Sequence, residues 1–377
     1  MTNTDPQKSP YSSKNITKVT PREHIRRRPR MYIGGTDSHA LHHFIWASID
    51  HMLEEAMLGL TTYIHIEIWD DNEIQINTNG TSLVDTSLNV EANAKALNEL
   101  LTACKTRNPI NDLYLGVYSD LLAIGLSIVN CLSQKFSVSI EHHANTWMHF
   151  YENGLPVDRL IHHALDESTV KQTRIRFKPD FDIMDANDFD VKTIASRLSD
   201  LSYLMPSVEF AITDKRNDSE PIIYFNELGL ANWVSERVSI PAYEVIANEK
   251  TYDLLDKADE LYKISVQFAF QFTDADTTTE RSFVNTITTV DGGTHIEALH
   301  EAIVQALNNG EENLSWDTIS QGFVGIIHIL HPDPQFESRT KIKLLNPEVR
   351  DSIIDCVQEA FAENPTILHS LQARFDV

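Results

Sequence analysis

The chain contains few cysteines and no long apolar run. Its 377 residues include three cysteines, Cys104, Cys131 and Cys356, whose spacing forms neither a paired metal motif nor a disulfide framework. No stretch approaches the roughly 18 apolar residues that a membrane helix needs, and the N-terminal residues contain no apolar signal region. We therefore expect a reduced, cytoplasmic protein without a membrane segment.

Basic residues are scarce. The sequence has 31 Lys and Arg against 55 Asp and Glu, a formal net charge of -24 at pH 7. Binding to a phosphate backbone depends on Lys and Arg, so direct DNA binding is expected to be weak or absent. Arg22 and the run 26–30 form a basic cluster, interpreted as ordinary surface charge rather than a DNA-binding arm. An acidic surface also suits imitation of DNA toward a basic partner, which we favour less.

The most informative stretch runs from His39 to Gly59. Its apolar and small residues recur at steps of three and four: Leu41, Phe44, Ile45, Ser48, Ile49, Met52, Leu53 and Ala56. This period predicts a helix packed on a core, with Ala47, His51 and Glu55 on a different face. The alternating residues from Thr62 to Ile76 then predict a strand hairpin that turns at 70–72.

Later segments predict further elements. We expect strands at Phe136–Ile140, Thr146–Tyr151, Thr173–Phe177, Val208–Thr213, Tyr262–Phe272 and Phe323–Leu330 and a helix at Thr294–Leu307. The Tyr262–Phe272 strand is expected to alternate strictly between buried and exposed residues. A final helix is predicted to begin with Asn346 as its N-cap and Pro347 in its first turn, and to stop at Pro365.

Six blocks in this order together resemble the ATPase half of a type IIA topoisomerase B subunit, as in DNA gyrase or topoisomerase IV. They are RRRPRMYIGGTD, the helix at 39–59, GLSIVNCLSQK, TRIRFKP, DGGTH and DPQFESRTKIKL. The resemblance implies an α+β fold, in which a GHKL (Bergerat-type) α/β sandwich ATPase domain is followed by a ribosomal-S5-like transducer domain. The implied division is a flexible arm at 1–20, the ATPase-like domain at 21–226 and the transducer at 227–377.

The resemblance also places the site on the long helix, where two key positions are altered. Ala47 stands where the family has the Glu that acts as general base, and a methyl group cannot accept a proton. His51 stands where the family has the Asn that binds Mg²⁺, and imidazole is a poor ligand for that ion, so no metal is expected. Asp50 and Glu55 match acidic positions of the helix and remain candidates for nucleotide binding.

The nucleotide-contacting segments are altered as well. Thr78 replaces the Asp that accepts the adenine amino group, Gly80 is retained, and Thr173 keeps the polar pocket floor. In the phosphate-binding segment at 119–125 only Gly125 remains as in the family, and Asp120 adds a negative charge where phosphates would lie.

Two residues match family positions that reach the nucleotide from a distance. Tyr11 matches a tyrosine on the arm that reaches the partner subunit's nucleotide. Lys341 matches the lysine that contacts the γ-phosphate, with Arg339 in place of the family's Gln. An exposed lysine in a basic loop is an equally good interpretation of Lys341.

These replacements predict a catalytically inactive ATPase paralogue that acts as a binding or regulatory module, with no cofactor. The alternative is a divergent ATP-hydrolysing subunit of a type II topoisomerase, which would use ATP and Mg²⁺. The expected partner is a second copy or a topoisomerase B-type subunit. The sequence ends at Val377, before the toprim domain of the family, so strand passage by this chain alone is not expected.

Overall fold

The structure is a computed structural model. It describes residues 19–81, 83–84, 89–103, 125–142, 145–157, 161–164, 171–238, 243–255, 259, 261–308, 314–338 and 340–375. Within these ranges the chain forms a nine-stranded sheet, a five-stranded sheet and helices against both. The mixed α+β fold expected from the sequence is confirmed. No helix in the described ranges is long and apolar enough to cross a bilayer.

The first sheet has the strand order β5-β4-β3-β7-β2-β1-β8-β9, with β6 also paired to β4. Its strands are β1 (Tyr63–Trp69), β2 (Glu73–Thr78), β3 (Ser133–His142), β4 (Asn145–Glu152), β5 (Leu155–Pro156), β6 (Ile161–Ala164), β7 (Gln172–Pro179), β8 (Glu209–Asp214) and β9 (Ile222–Tyr224). The predicted hairpin is confirmed, because β1 and β2 pair antiparallel around a turn at Asp70–Asn72. Alternate residues of both strands are buried, as their sequence pattern predicts.

Helices cover this sheet. They are α1 (Pro21–Arg27), α2 (Arg30–Ile33), α3 (Ser38–Met57), α4 (Val90–Thr102), α5 (Leu126–Leu132) and α6 (Val191–Leu204). The long predicted helix is α3, whose N-cap Asp37 accepts a hydrogen bond from the Ala40 N–H at 3.0 Å. Both faces of α3 are buried, because Ala47 and Glu55 are as inaccessible as its apolar stripe. The helix therefore lies inside the fold, with its second face turned into the candidate site.

The second sheet has the order β10-β11-β14-β12-β13. Its elements, with the linking helix α7, are α7 (Leu230–Ser235), β10 (Ile246–Leu255), β11 (Leu261–Phe272), β12 (Thr279–Val284), β13 (Ile287–Thr288), α8 (Thr294–Asn308), α9 (Trp316–Ile319), β14 (Phe323–Leu330), α10 (Val349–Glu363) and α11 (Pro365–Arg374). The parallel pair β12 and β14 is connected through α8. Every expected strand and helix in this region is present.

Three details of the second sheet differ from the sequence predictions. Asn346 is not an N-cap: its side chain accepts the Gln335 N–H and donates to Glu348, which is itself the residue preceding α10. Pro365 ends α10 as predicted, but it also begins α11, because proline is well suited to the first turn of a helix. β11 does not alternate strictly, because Ile264, Ser265 and Val266 are buried in succession and so are all residues from Phe268 to Phe272.

The packing between the two sheets explains the burial of β11. Ala269 of β11 belongs to the same apolar cluster as the core of the first sheet, together with Phe283, Val324 and Ile326. Two polar links cross the same boundary. Arg281 of β12 forms a two-pronged ion pair with Asp200 of α6, and Arg197 of α6 donates to the Thr286 carbonyl at 2.6 Å. The two sheets are thus joined by apolar contact and by charge.

His295 of α8 and His328 of β14 are buried in their neutral form, which predicts that acid destabilises the folded chain. Burial lowers the pKa of His295 to about 3 and that of His328 to about 4, from an ordinary value of 6.5. Below pH 6.5 these two histidines are protonated in the unfolded chain but not in the folded chain. The free energy of unfolding therefore falls as the pH drops toward 4. The His328→Gln variant should reduce the slope of unfolding free energy against pH by about 1.4 kcal/mol per unit. Denaturant titrations from pH 7 to 4 measure this; an unchanged slope would show that His328 does not contribute.

Candidate functional site

The face of α3 on which the resemblance places the site has Ala47 where a group that activates water was expected. Ala47 is 5% exposed, and its methyl group is packed into the site. One turn later, burial lowers the pKa of His51, an effect that the Glu55 charge only partly opposes. His51 is therefore a neutral imidazole at pH 7, with Nδ1 3.9 Å from a carboxylate oxygen of Glu54.

This donor set does not fit a magnesium ion. Mg²⁺ prefers oxygen ligands in octahedral geometry, and His51 offers a ring nitrogen in the place of the family's amide oxygen. No cluster of three or more His, Cys, Asp or Glu side chains suited to a metal occurs in the part of the chain that the structure describes. No catalytic step through a metal follows from these residues.

Glu55 closes one side of the site. Its side chain is 2% exposed and receives a long hydrogen bond of 3.5 Å from the Thr61 hydroxyl. Gly80 approaches so closely that a Cβ there would lie 2.0 Å from Glu55 Oε2 and 2.3 Å from Thr61 Oγ1. A side chain at position 80 would therefore require Glu55 or Thr61 to move.

The hydroxyl groups of the two site threonines form hydrogen bonds with the Gly80 backbone. The Thr78 hydroxyl accepts the Gly80 N–H at 3.1 Å, and the Thr173 hydroxyl donates to the Gly80 carbonyl at 2.6 Å. Both side chains are buried. The sequence placed Thr78 where a ligand amino group would be accepted, but this hydroxyl already accepts one protein hydrogen bond and has no solvent-accessible surface. The hydroxyl groups of Thr78 and Thr173 therefore hold the Gly80 backbone at its N–H and at its carbonyl.

Asp50 of α3 interacts electrostatically with Arg197 of α6, which also contacts the second sheet. Desolvation lowers the pKa of the Arg197 guanidinium, and the negative charges of Asp50 and Asp200 oppose that shift. The same guanidinium donates to Thr286 in the turn between β12 and β13. Charge on the site helix is therefore connected to the second sheet through one arginine. Sequence reasoning missed Arg197 because its partners are distant along the chain, and it missed Thr61 because one threonine before a strand carries no signal.

Lys341 lies in the connection between β14 and α10. Its backbone has a left-handed φ of 55°, and its N–H donates to the Ser338 carbonyl at 3.1 Å. Its ammonium nitrogen lies 6.0 Å from the centroid of the Phe336 ring. These contacts place Lys341 against its own loop, and its role toward a phosphate stays a prediction.

The other predicted positions divide into two groups. Gly125 is the N-cap residue of α5, with no side-chain hydrogen bond, so its backbone alone begins that helix. Tyr11, Asp120 and Arg339 lie outside the described residues. The structure thus brings together Ala47, His51, Glu55, Thr78, Gly80 and Thr173 around one face of α3.

Comparison with known proteins finds similar sequences and similar folds. Residues 229–372 match the sequence family described as DNA gyrase B. The B subunit of DNA gyrase from Haloferax volcanii is 30% identical over 95% of this chain, which covers 58% of that protein. A similar fold occurs in the 43K ATPase domain of Thermus thermophilus gyrase B, solved with an aminocoumarin (TM-score 0.77, 24% identity, 94% and 93% of the two chains). The topoisomerase IV ATP-binding domain of Francisella tularensis also matches (TM-score 0.70, 19% identity, 94% and 95%).

The overall fold is similar to that of these two ATPase domains. The sequence is similar to DNA gyrase B subunits over most of the chain, as the resemblance of its sequence blocks predicted. It spans little more than half the length of the curated relatives that it matches.

Proposed function

We propose that this gyrase-B-like chain does not hydrolyse ATP and acts as a binding or regulatory module on a topoisomerase B-type subunit or a related partner. The observation that carries the proposal is Ala47, a buried methyl group at the position of the family's general base. A positioned base contributes roughly 10²–10⁴ in rate, so its loss alone would make turnover very slow.

Other features of the site support the same conclusion. His51 is neutral and unsuited to Mg²⁺, and the Thr78 hydroxyl is engaged by the Gly80 N–H. In the sequence, Asp120 adds a negative charge to the segment that would receive phosphates. ATP and Mg²⁺ are therefore not expected as cofactors of this chain.

In this scheme, partner binding depends on the fold of the chain and not on nucleotide chemistry. An arm at 1–20, an ATPase-like unit at 21–226 and a transducer-like unit at 227–377 would pair with a second copy or with an intact B-type subunit in the cytoplasm. Direct DNA contact contributes little in this scheme, because the net charge of -24 opposes binding to phosphates.

A second candidate function is a divergent ATP-hydrolysing subunit of a type II topoisomerase. It is favoured by the packing of Glu55, Gly80 and Thr173, which keeps part of the nucleotide side of the site in order. Such an enzyme would need a different group to activate water in place of Ala47.

Calorimetry separates the two candidates. ATP and a non-hydrolysable analogue are titrated into the whole chain, with and without Mg²⁺, and the expected result is no heat of binding. Micromolar binding that requires Mg²⁺, together with turnover that disappears in the Lys341→Ala variant, would establish the divergent enzyme instead. The Lys343→Ala variant is the matched control, since it removes a neighbouring lysine outside the expected phosphate position.

A further inference from the structure

One end of the first sheet exposes a compact apolar surface. It consists of β9 and the turn that follows, and we call it the edge surface. Four large apolar side chains lie on it within seven residues: Ile222, Ile223, Phe225 and Leu228 are 44%, 57%, 48% and 70% exposed. Single exposed apolar residues are common, whereas four large ones within seven residues, on an edge strand and the turn after it, indicate a candidate interaction site.

The backbone of the edge surface also offers hydrogen bonds. β9 is the last strand in the sheet order, and it pairs antiparallel with β8 along Ile222–Tyr224. No other strand in the described ranges pairs with it. The outer N–H and C=O groups of an edge strand can accept an added strand, and proteins blunt such edges by short length, by proline or by charge on the strand. β9 is three residues long and follows Pro221, but its sequence Ile-Ile-Tyr carries no charge.

Charge surrounds the apolar residues instead of interrupting them. Asp218, Glu220 and Glu227 are exposed at the two ends of the edge surface, and none forms an ion pair with another described residue. Two cations lie nearby. Arg216 is already engaged by Asp188 and Asp214, whereas Lys215 is exposed. The rim of the edge surface is therefore negative overall.

We propose that the edge surface binds an extended segment of a partner protein in which apolar residues alternate with Lys or Arg. The segment would add a strand to β9, place its apolar side chains on Ile223 and its neighbours, and direct its cations toward the carboxylate rim. A second copy of this chain fits less well, because a two-fold pairing of β9 with itself would bring the same three carboxylates together. The proposal is independent of the nucleotide site.

Synthetic peptides test the proposal on the whole chain. The probe is a capped peptide of alternating lysine and valine, and binding is measured by calorimetry at low and high ionic strength. We expect saturable binding that weakens as salt is added. Two control peptides should not bind: one of alternating glutamate and valine, and one with alternate backbone nitrogens methylated on the edge that faces β9. Equal binding of the methylated peptide would overturn strand addition, and absence of binding by the probe would overturn the site.

Variants identify the surface. Ile223→Lys should weaken binding of the probe by about tenfold or more, because it removes apolar contact and adds a repelling charge. Glu220→Lys combined with Glu227→Lys should remove most of the salt dependence. Leu155→Lys, at the opposite end of the same sheet and 54% exposed, is the matched control and should bind as the parent does. Sedimentation shows whether the chain self-associates; a dimer dissociated by Ile223→Lys would make a second copy the occupant and contradict the proposal.

Discussion

The Ala47→Glu variant is expected to hydrolyse ATP no faster than the parent chain. A correctly positioned general base is worth roughly 10²–10⁴ in rate, but only when the substrate is bound in the right geometry. In this site His51 still presents a neutral ring nitrogen in place of an oxygen ligand, and Thr78 remains engaged by Gly80. A restored carboxylate would have no ordered triphosphate beside it. A coupled phosphate-release assay on parent and variant measures the outcome.

Two further variants control this experiment. Ala47→Gln has nearly the same shape as Ala47→Glu without a base, and it should match Ala47→Glu in activity. Combining Ala47→Glu with His51→Asn restores both family residues on α3 and should still give no turnover, because Asp120 keeps its charge in the phosphate segment. Turnover in the single Glu variant, absent from the Gln variant, would show that the rest of the nucleotide site is intact and that Ala47 alone accounts for the lost activity, contrary to this expectation.

Gly293→Ala is expected to lower the free energy of unfolding by about 3 kcal/mol or more. Gly293 has a φ of 122°, in the left-handed half of backbone space where residues with a Cβ are strained. A Cβ here would lie 2.2 Å from the Leu344 carbonyl oxygen and 2.5 Å from the Leu344 nitrogen, both of which are backbone atoms. The Leu344 N–H donates to Gly292, and the Leu344 carbonyl accepts from Thr294, so the clash would separate the start of α8 from its neighbour.

Gly34→Ala is the matched control for Gly293→Ala. Gly34 also has a positive φ, 78°, but a Cβ there meets no atom within 4 Å. Its substitution should cost only the backbone term, about 1–2 kcal/mol. Urea denaturation of both variants gives the comparison. Equal losses would mean that close packing on Leu344 adds nothing to the effect of φ.

The sequence predicted elements well where the apolar period is strong. The stripe of α3, the alternation of β1 and β2 and the apolar run of Phe323–Leu330 each have one interpretation in local terms, and the structure confirms them. Asn346 shows the limit of local rules. An Asn before Pro fits a helix start, yet the fold brings Gln335 and Glu348 within reach, and these contacts take the side chain.

The candidate site could be predicted only in its residue types. The sequence predicts that Ala47 and His51 stand where the family has functional groups, because a resemblance in sequence identifies the residue type at each position. It could not show that burial keeps His51 neutral or that Thr78 and Thr173 both bind Gly80, because these properties depend on residues brought together by the sheet. The strict alternation expected of β11 failed for the same reason: its second face is covered by the core of the first sheet.

Arg197 connects the site helix α3 with the second sheet. The negative charges of Asp50 on α3 and Asp200 on α6 stabilise its charged guanidinium. The same guanidinium donates a hydrogen bond to the Thr286 carbonyl in the second sheet. None of these groups belongs to the base or metal positions that have changed. The polar connection between the two sheets therefore does not depend on the residues that were expected to act on a nucleotide.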